Sequence, residues 1–561
     1  MFSTKKNVLQ TVALLKAFGI SHVVISPGSR NAPLTQSFVS DPFFKCHSIV
    51  DERCAGFFAI GLIDKLLEPV ALCCTSGTAL LNYGPSVAEA YYQEKPLVVI
   101  SADRPVSWIG QMDGQTLPQP GVFGSLVRKS VQLPEIFCDE DLWHCNRLLN
   151  DALIACTHKG YGPVHINVPI SEPLFDFSET ILPEVRRIYD VSSFTGTISS
   201  DMMDEFVSMW RESNKRMIIT GQSNCLYEQL NYLIEKMLSK NDCIVLSEHL
   251  SNIKTTKLIG NFDALISALN EEERIDFAPD LLITFGGHVV SKRIKKLLRN
   301  HPPKYHWHLS PSGSMPDSYQ CLTHFIDYDP VSFFGQFQTL IHDQDDSGKD
   351  YVKKWISVSK ALQMPGNDLP FSDIVVTGAF LKQLPDNVTL YVGNSSPIRN
   401  IQLFPIDGSI NLLCNRGTNG IEGSVSTAIG YASVHEGHTF LIIGDLSFFY
   451  DLNSIWNNKI PATLHILLIN NGGGGIFNLL PGLEKAKSLN FVSANHSYEA
   501  KGWVKAAGLD YLCADSYSSL DSVLNEFVRL DRGKGIVLEI FTTTENNRIA
   551  SNKYYQLIKK Q

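Results

Sequence analysis

The feature that most constrains this chain is a recurring unit in which a short apolar run ends in Gly, Ser or Asp and gives way to a helix-like stretch. It occurs in SHVVISPGSR, PVALCCTSGTALLN, PLVVISADRP, RMIITGQSN, DLLITFGGH, TLYVGNSS, TFLIIGDLS and LHILLINNGG. Runs this short and this apolar, alternating with helices, make βαβ units whose strands are parallel and covered on both faces. Ligands of such doubly wound sheets lie beyond the carboxyl ends of the strands. The Ser, Gly and Asp residues of these runs fall at those ends, so a site is expected to be built from them.

At 561 residues, 44% hydrophobic and 19% charged, the chain is too apolar for disorder and long enough for several cores. Two polar, turn-rich stretches, 171–201 and 342–350, read as seams. They imply three α/β domains with doubly wound parallel sheets, over residues 1–185, 195–345 and 355–561. No tandem repeat or low-complexity tract is visible in the sequence. The net charge of −9 argues against a general nucleic-acid binder and leaves any anionic ligand to a local basic pocket. In MFSTKKNVLQTVALLKAFGI, Asn7, Gln10 and Lys16 interrupt the apolar positions at helical spacing, which predicts an amphipathic first helix of a cytoplasmic protein rather than a signal peptide. With no apolar run of about 18 residues, no membrane span is expected. The 12 cysteines form no CxxC pair, and Cys73 and Cys74 adjoin within an apolar run, as buried reduced thiols do. His306 and His308 alternate onto one face of YHWHL and read as ordinary strand residues.

The stretch from Ile469 to Phe477, INNGGGGIF, carries more glycine than a turn needs, which implies close approach to the main chain. It follows the strand-like LHILL, and the preceding TFLIIGDLSFFYDLNSIW gives a strand, a Gly-Asp turn and a helix. Asp445 and Asn471 stand 26 residues apart, enough for one crossover between neighbouring parallel strands. Both side chains should then emerge at one sheet edge. A hard cation takes a carboxylate, an amide oxygen and a main-chain carbonyl, here that of Gly473, together with diphosphate oxygens. Ser447, read as the start of the next helix, stands where free N–H groups favour phosphate.

A GD turn followed after about 26 residues by NN resembles the cofactor motif of thiamine-diphosphate enzymes. The form GDLS, in place of the commoner GDG, with YDLNS after it, resembles one branch of that superfamily: the 2-succinyl-5-enolpyruvyl-6-hydroxy-3-cyclohexene-1-carboxylate synthases of menaquinone biosynthesis. SPGSRNAPLT, DERCAGFFAIGL, TSGTALLN, SADRP, GPVHINVP, GNSSPIRN and NRGTNGIEGSVSTAIGYA match the same branch, densely in the first and last thirds and least in the middle. The resemblance implies a pyrimidine-binding, a central and a diphosphate-binding domain. It implies thiamine diphosphate with Mg²⁺ or Mn²⁺, the metal held by Asp445, Asn471 and Gly473. Glu52 matches the glutamate that drives the cofactor's aminopyrimidine tautomer, and Ile421 the aliphatic support of the bent cofactor. Ser395, Leu446, Ser447, Gly474 and Ile476 complete the cofactor contacts.

Arginine placement is legible without any family. Arg30, Arg104, Arg399 and Arg416 lie in or beside turns after apolar strands, and arginine grips carboxylates bidentately. Singly, each can cap a sheet edge; together they can converge on a ligand with several carboxylates. The resemblance makes all four substrate residues, with Ser29, Gln115, Lys292, Ser395 and Phe477, and counts Arg30, Gln115, Arg399 and Arg416 with Glu52 as catalytic. The reaction implied is decarboxylation of 2-oxoglutarate and conjugate addition of the remaining unit to isochorismate, in a homodimer or homotetramer. Two other readings stay open: another thiamine-diphosphate enzyme of acetohydroxyacid synthase or 2-oxo acid decarboxylase type, and a silent paralogue that binds the cofactor without turnover.

Overall fold

The computed structural model describes residues 1–190, 198–223, 228–255, 257–341, 348–366, 368–457, 460–479 and 482–559. Parts of both polar seams, 191–197 and 342–347, lie outside the described residues. The strands are β1 His22–Ile25, β2 Lys45–Ser48, β3 Val70–Cys74, β4 Leu97–Asp103, β5 Lys129–Gln132, β6 Val164–Pro169, β7 Arg216–Thr220, β8 Ile244–Ser247, β9 Leu281–Phe285, β10 Tyr305–Leu309, β11 His324–Ile326, β12 Thr389–Val392, β13 Asn411–Leu413, β14 Thr439–Gly444, β15 Leu464–Asn470, β16 Asp510–Ala514 and β17 Ile536–Phe541. They form three sheets, ordered β2-β1-β3-β4-β6-β5, β11-β10-β9-β7-β8 and β13-β12-β14-β15-β17-β16. Every pairing between them is parallel. The expected three doubly wound α/β domains are thus present, and the first and third share one winding order. No sequence repeat announces that correspondence.

The inner strands are largely buried, β4 and β15 along their whole length. Successive residues feed opposite cores: Val23 and Ile25 pack with the helices Lys6–Ala17 and Asp139–Thr157, while Val24 faces the other way. That second core is shared. It joins Leu72, Leu97 and Val99 of the first sheet to Leu441, Ile443 and Ile466 of the third through the helices Glu52–Leu66 and Ser424–Ala432. The central sheet keeps its own two cores. The helix Lys349–Ala361 spans the expected start of the third domain and packs Tyr351, Val352 and Trp355 into one of them.

Two local expectations change. The first helix, Lys6–Ala17, is buried from Asn7 to Leu15, so Asn7 and Gln10 do not form a wet face. The Asn7 side-chain amide instead donates to the Pro169 carbonyl at 2.7 Å. Part of the first seam is also structured: Phe2 pairs antiparallel with Glu179, and the Arg187 guanidinium donates to the Ala17 carbonyl at 2.8 Å. Every described cysteine is a free thiol, Cys73 and Cys74 being fully buried. Among the described residues no helix is long and apolar enough to cross a membrane.

The two helices of the shared core touch main chain to main chain. A Cβ built on Gly61 falls 2.0 Å from the Thr427 carbonyl oxygen, and one on Gly430 falls 2.1 Å from that of Phe58. Helix propensity alone favours Gly61→Ala by about 0.5–1 kcal/mol, whereas overpacking costs about 1–3 kcal/mol. Gly61→Ala should therefore lower the denaturant midpoint; a raised midpoint would show that the helices have room to part.

Candidate active site

The carboxyl ends of β12, β14 and β15 face one pocket, at the point where the order of the third sheet reverses between β12 and β14. Its lining includes Ser395, Ile421, Asp445, Leu446, Ser447, Asn471, Gly473, Gly474, Ile476 and Phe477. β14 and β15 are adjacent, with Gly444 opposite Ile469, so Asp445 and Asn471 leave the same edge. Asp445 opens the helix Asp445–Tyr450, and its carboxylate accepts the Leu446 N–H at 2.6 Å and the Gly473 N–H at 2.9 Å. His496 Nε2 lies 3.3 Å from the same carboxylate. Burial raises the pKa of Asp445, against the pull of the two N–H groups and His496. The Asn471 amide donates to Asp373 at 3.0 Å and leaves its own buried Oδ1 without a hydrogen-bond partner. An unpaired buried amide oxygen beside a buried carboxylate suits a hard cation, so the donor set fits the metal and diphosphate expected there.

Several expectations about this pocket are refined. Ser447 is the third residue of its helix rather than its start, and its hydroxyl donates to the Ile421 carbonyl. The Gly473 carbonyl accepts the Gly475 N–H at 2.9 Å. The glycine run also makes room for protein and not for a ligand alone: a Cβ on Gly473 would fall 2.8 Å from the Ser493 carbonyl, and one on Gly474 2.7 Å from the Phe477 ring. Gly472 and Gly473, at φ +78° and +144°, hold backbone conformations that side chains resist. Ser395 takes φ +72° without being glycine, a strained turn that its neighbours must hold.

Glu52 stands elsewhere. It is the first residue of its helix, after Asp51, whose side chain caps the Arg53 and Cys54 N–H groups. Asn82 donates to the Glu52 carboxylate at 3.4 Å. Glu52 lines an open pocket with Pro27, Asp51, Arg53, Asn82, Asn453 and Trp456, and this pocket shares no lining residue with the first.

The arginines fall into two pairs rather than one cluster within the chain. Arg30, 3% exposed, donates to the Ile170 carbonyl at 3.0 Å and meets Glu172 at 3.3 Å, and Arg104 reaches the same carboxylate at 3.9 Å. Burial first, then the Arg104 charge, lowers the pKa of Arg30. Ser29 and Gln115 are exposed near this pair's domain face, and the main chain of Gln115, at φ +56°, abuts Gly77. Arg399 donates to the Ser395 carbonyl at 2.5 Å, and Arg416 to Asn394 Oδ1 at 3.0 Å. Burial and the Arg416 charge lower the pKa of Arg399. Lys292 is exposed at the start of the helix Lys292–Asn300, and its neighbour Arg293 pairs with Asp263 and meets Tyr555.

Sequence reasoning missed the residues that hold these groups. Glu89, of the first domain, accepts the Gly417 and Thr418 N–H groups, each at 2.7 Å, and so fixes the loop that carries Arg416. Asn394 holds the other side of that loop through the Asn415 and Gly420 carbonyls. Asp373 contacts Asn471 across 98 positions. Glu89 and Asp373 sit in no motif-like context, so a single sequence offers no signal for them; Asn394 lies inside the GNSSPIRN stretch, where its neighbours Ser395 and Arg399 drew the attention.

Comparison with known proteins shows the family. Residues 9–122 match the family described as thiamine pyrophosphate enzyme, N-terminal TPP binding domain. Among curated relatives, the 2-succinyl-5-enolpyruvyl-6-hydroxy-3-cyclohexene-1-carboxylate synthase of Bacteroides fragilis is 48% identical, over 99% of this chain and 100% of its own. Those of Bacteroides thetaiotaomicron and Flavobacterium psychrophilum are 47% and 40% identical, over 100% and 96% of this chain and the same shares of their own. The chain belongs to this synthase family. Benzoylformate decarboxylase from Polynucleobacter necessarius superposes with a TM-score of 0.72 over 96% of this chain and 99% of its own, at 16% identity, a likeness of fold alone.

In this family member the Arg416 loop also meets the central domain. Gln222 donates to the Cys414 carbonyl at 2.8 Å, and buried Glu248, just after β8, accepts the Val290 and Ser291 N–H groups at 2.6 and 2.7 Å. Burial pushes the Glu248 pKa up to about 7, the Asp263 charge adding to the rise and Arg416 opposing it. A carboxyl whose folded pKa exceeds its unfolded one contributes stability below the unfolded value and loses it as pH rises through the folded one. Glu248→Gln does not titrate, so wild type should lose stability relative to this variant between about pH 5 and 7. Denaturant unfolding of both proteins at the two ends of that window checks the sign; a difference independent of pH would contradict it.

Proposed function

We propose that the chain is a thiamine-diphosphate-dependent synthase. It decarboxylates 2-oxoglutarate and joins the remaining four-carbon unit by conjugate addition to isochorismate, giving 2-succinyl-5-enolpyruvyl-6-hydroxy-3-cyclohexene-1-carboxylate for menaquinone biosynthesis. The observation that carries this reading is the full-length likeness to synthases of that name, which spans both motif-bearing domains and the less distinctive middle. The likeness to a benzoylformate decarboxylase concerns fold alone and does not favour a simple decarboxylase.

In this reading residues 1–185 serve the aminopyrimidine side of the cofactor, 355–561 the diphosphate side, and 195–345 form the central domain. Asp445, Asn471 and the Gly473 carbonyl hold Mg²⁺ or Mn²⁺, which offsets diphosphate charge. Ser395, Leu446, Ser447, Gly474 and Ile476, which line the pocket, would contact the cofactor, and Ile421 would support it. Bound there, thiamine diphosphate supplies a nucleophilic carbon and an electron sink for loss of CO₂. Glu52 would hold the aminopyrimidine and so help a proton leave that carbon. Arg30, Arg104, Arg399 and Arg416 grip substrate carboxylates, while Ser29, Gln115, Lys292 and Phe477 complete the substrate surface. The separation of the Glu52 pocket from the Asp445 pocket supports a homodimer, or a tetramer of such dimers, in which a second copy brings one pocket to the other. The cytoplasm is the compartment this reading implies, in keeping with the helix-like rather than signal-like N-terminal pattern.

Three measurements test the reading. Asp445→Ala should abolish Mg²⁺-dependent binding of thiamine diphosphate in calorimetry while the fold persists; unchanged metal dependence would sink the metal assignment. Glu52→Gln should weaken cofactor binding only modestly and slow turnover by about 10²–10⁴-fold, the usual loss when acid–base help is removed. Arg399→Ala and Arg416→Ala should each lower kcat/KM about 100-fold, followed by isochorismate consumption, with cofactor affinity almost unchanged, because a buried carboxylate left unpaired costs a few kcal/mol. Near wild-type values for both arginine variants would favour a substrate with fewer carboxylates.

A further inference from the structure

Asn471 has an amide whose two ends are nearly the same size but opposite in chemistry, and only its oxygen can ligate a cation. Which end is free for a cation is decided by what holds the other. Against the NH₂ end stands Asp373, first residue of the helix Asp373–Gln383, buried at the edge of the same pocket and 98 positions away in sequence. Its Oδ2 accepts the Asn471 amide at 3.0 Å, and its Oδ1 accepts the Thr542 hydroxyl at 2.6 Å and the Asn547 amide at 2.8 Å. Three side-chain donors converge on its two oxygens, so both oxygens are held as acceptors. The Asn471 NH₂ must therefore point at Asp373, and the buried, otherwise unpartnered Oδ1 is turned away from it.

We propose that Asp373 is a positioning residue of the metal site, dictating through this one contact that Asn471 presents oxygen and not nitrogen to the cation. The inference rests on the reading of Asn471 as a metal ligand. The surrounding contacts leave the amide little alternative. Asn547 cannot turn over to relieve a change at Asp373, because its own Oδ1 accepts the Asp373 N–H at 2.8 Å. Gly475 lets the main chain pass close to the amide, since a Cβ there would fall 3.1 Å from the Asn471 Nδ2 and 3.3 Å from its Oδ1. If position 373 carried an amide, its oxygen would have to face Asn547, and its NH₂ would face Asn471. Asn471 would then turn its oxygen inward to accept, and offer its NH₂ to the cation.

That logic makes a swap the decisive experiment. In the full-length protein with excess thiamine diphosphate, Mg²⁺ is titrated calorimetrically into wild type, Asp373→Asn and the double variant Asp373→Asn with Asn471→Asp. Removing a residue that orients a metal ligand commonly costs about 10–100-fold in metal affinity, and that loss is expected for Asp373→Asn. The double variant restores a matched pair: the Asn NH₂ donates to the new carboxylate, whose other oxygen ligates, and the total charge is unchanged. Its Mg²⁺ affinity should return to within about tenfold of wild type. A general structural role for Asp373 would not be rescued this way, so a double variant as weak as the single one overturns the proposal. Wild-type affinity in Asp373→Asn overturns it as well. Should the single variant fail to fold, the double variant alone decides. If Asp445→Ala keeps full metal dependence, the metal reading itself has failed; if it loses that dependence while Asp373→Asn keeps it, only the positioning role falls.

Discussion

The backbone contact between the helices Glu52–Leu66 and Ser424–Ala432 is the constraint on which the rest of the molecule depends. Gly61 and Gly430 let the two axes approach until a carbonyl of each helix occupies the place of the other's missing side chain. Close packing of this kind fixes relative position to within a fraction of an ångström, because the interior has no room to slide. Polar contacts pin both ends. At one end Lys95 and Asp64 pair at 2.5 Å while Tyr391, from the third sheet, donates to the same carboxylate at 2.9 Å. At the other, buried Asp451 accepts from the Ser426 N–H and hydroxyl and from the Cys54 thiol. A buried ion pair adds little net stability but penalises any arrangement that separates it, so such contacts fix registry more than they add stability. Glu52 begins one of these helices, and the turn holding Ile421 precedes the other; both therefore inherit their places from this contact.

The arginines show a second regularity. In a chain of net charge −9, much of their bonding goes to neutral oxygens: Arg416 to the Asn394 amide, Arg399 to the Ser395 carbonyl, Arg30 to the Ile170 carbonyl. A carbonyl holds a guanidinium in place without cancelling its charge, and leaves part of the fork for an anion. The depressed pKa values of Arg30 and Arg399 have the same origin, burial followed by a neighbouring arginine. Like charges brought together in a partly dry site represent a cost that a polyanionic ligand relieves.

All eight apolar runs read as strands become strands: β1, β3, β4, β7, β9, β12, β14 and β15. Their neighbours on two sides leave them dry, and the resulting unbroken Val, Ile and Leu is what periodicity detects. Four of the six edge strands, β2, β5, β11 and β16, escaped because a strand paired on one side keeps polar residues such as Lys45, Lys129, His324 and Asp510. The first helix misled for the opposite reason: Asn7 and Gln10 look like a wet face until a partner such as the Pro169 carbonyl is supplied from a distant strand. The glycine run was legible as close approach, but not as approach by Ser493 and Asn495 of the same chain.

The sequence by itself determined the parallel α/β class, the placing of Asp445 and Asn471 on neighbouring strand ends, and the choice of arginine at four turns, since each follows from local periodicity, turn chemistry or spacing along the chain. Only the tertiary structure decided that the arginines divide into two pairs, that Glu89 holds the Arg416 loop across more than 300 positions, and that Asp373 stands against the Asn471 amide. Such contacts depend on partners far apart in the chain, which no local pattern records. A lone acid near a helix start looks the same in sequence whether it meets water or a distant asparagine's amide, and the difference comes into being when distant strands are brought to one edge.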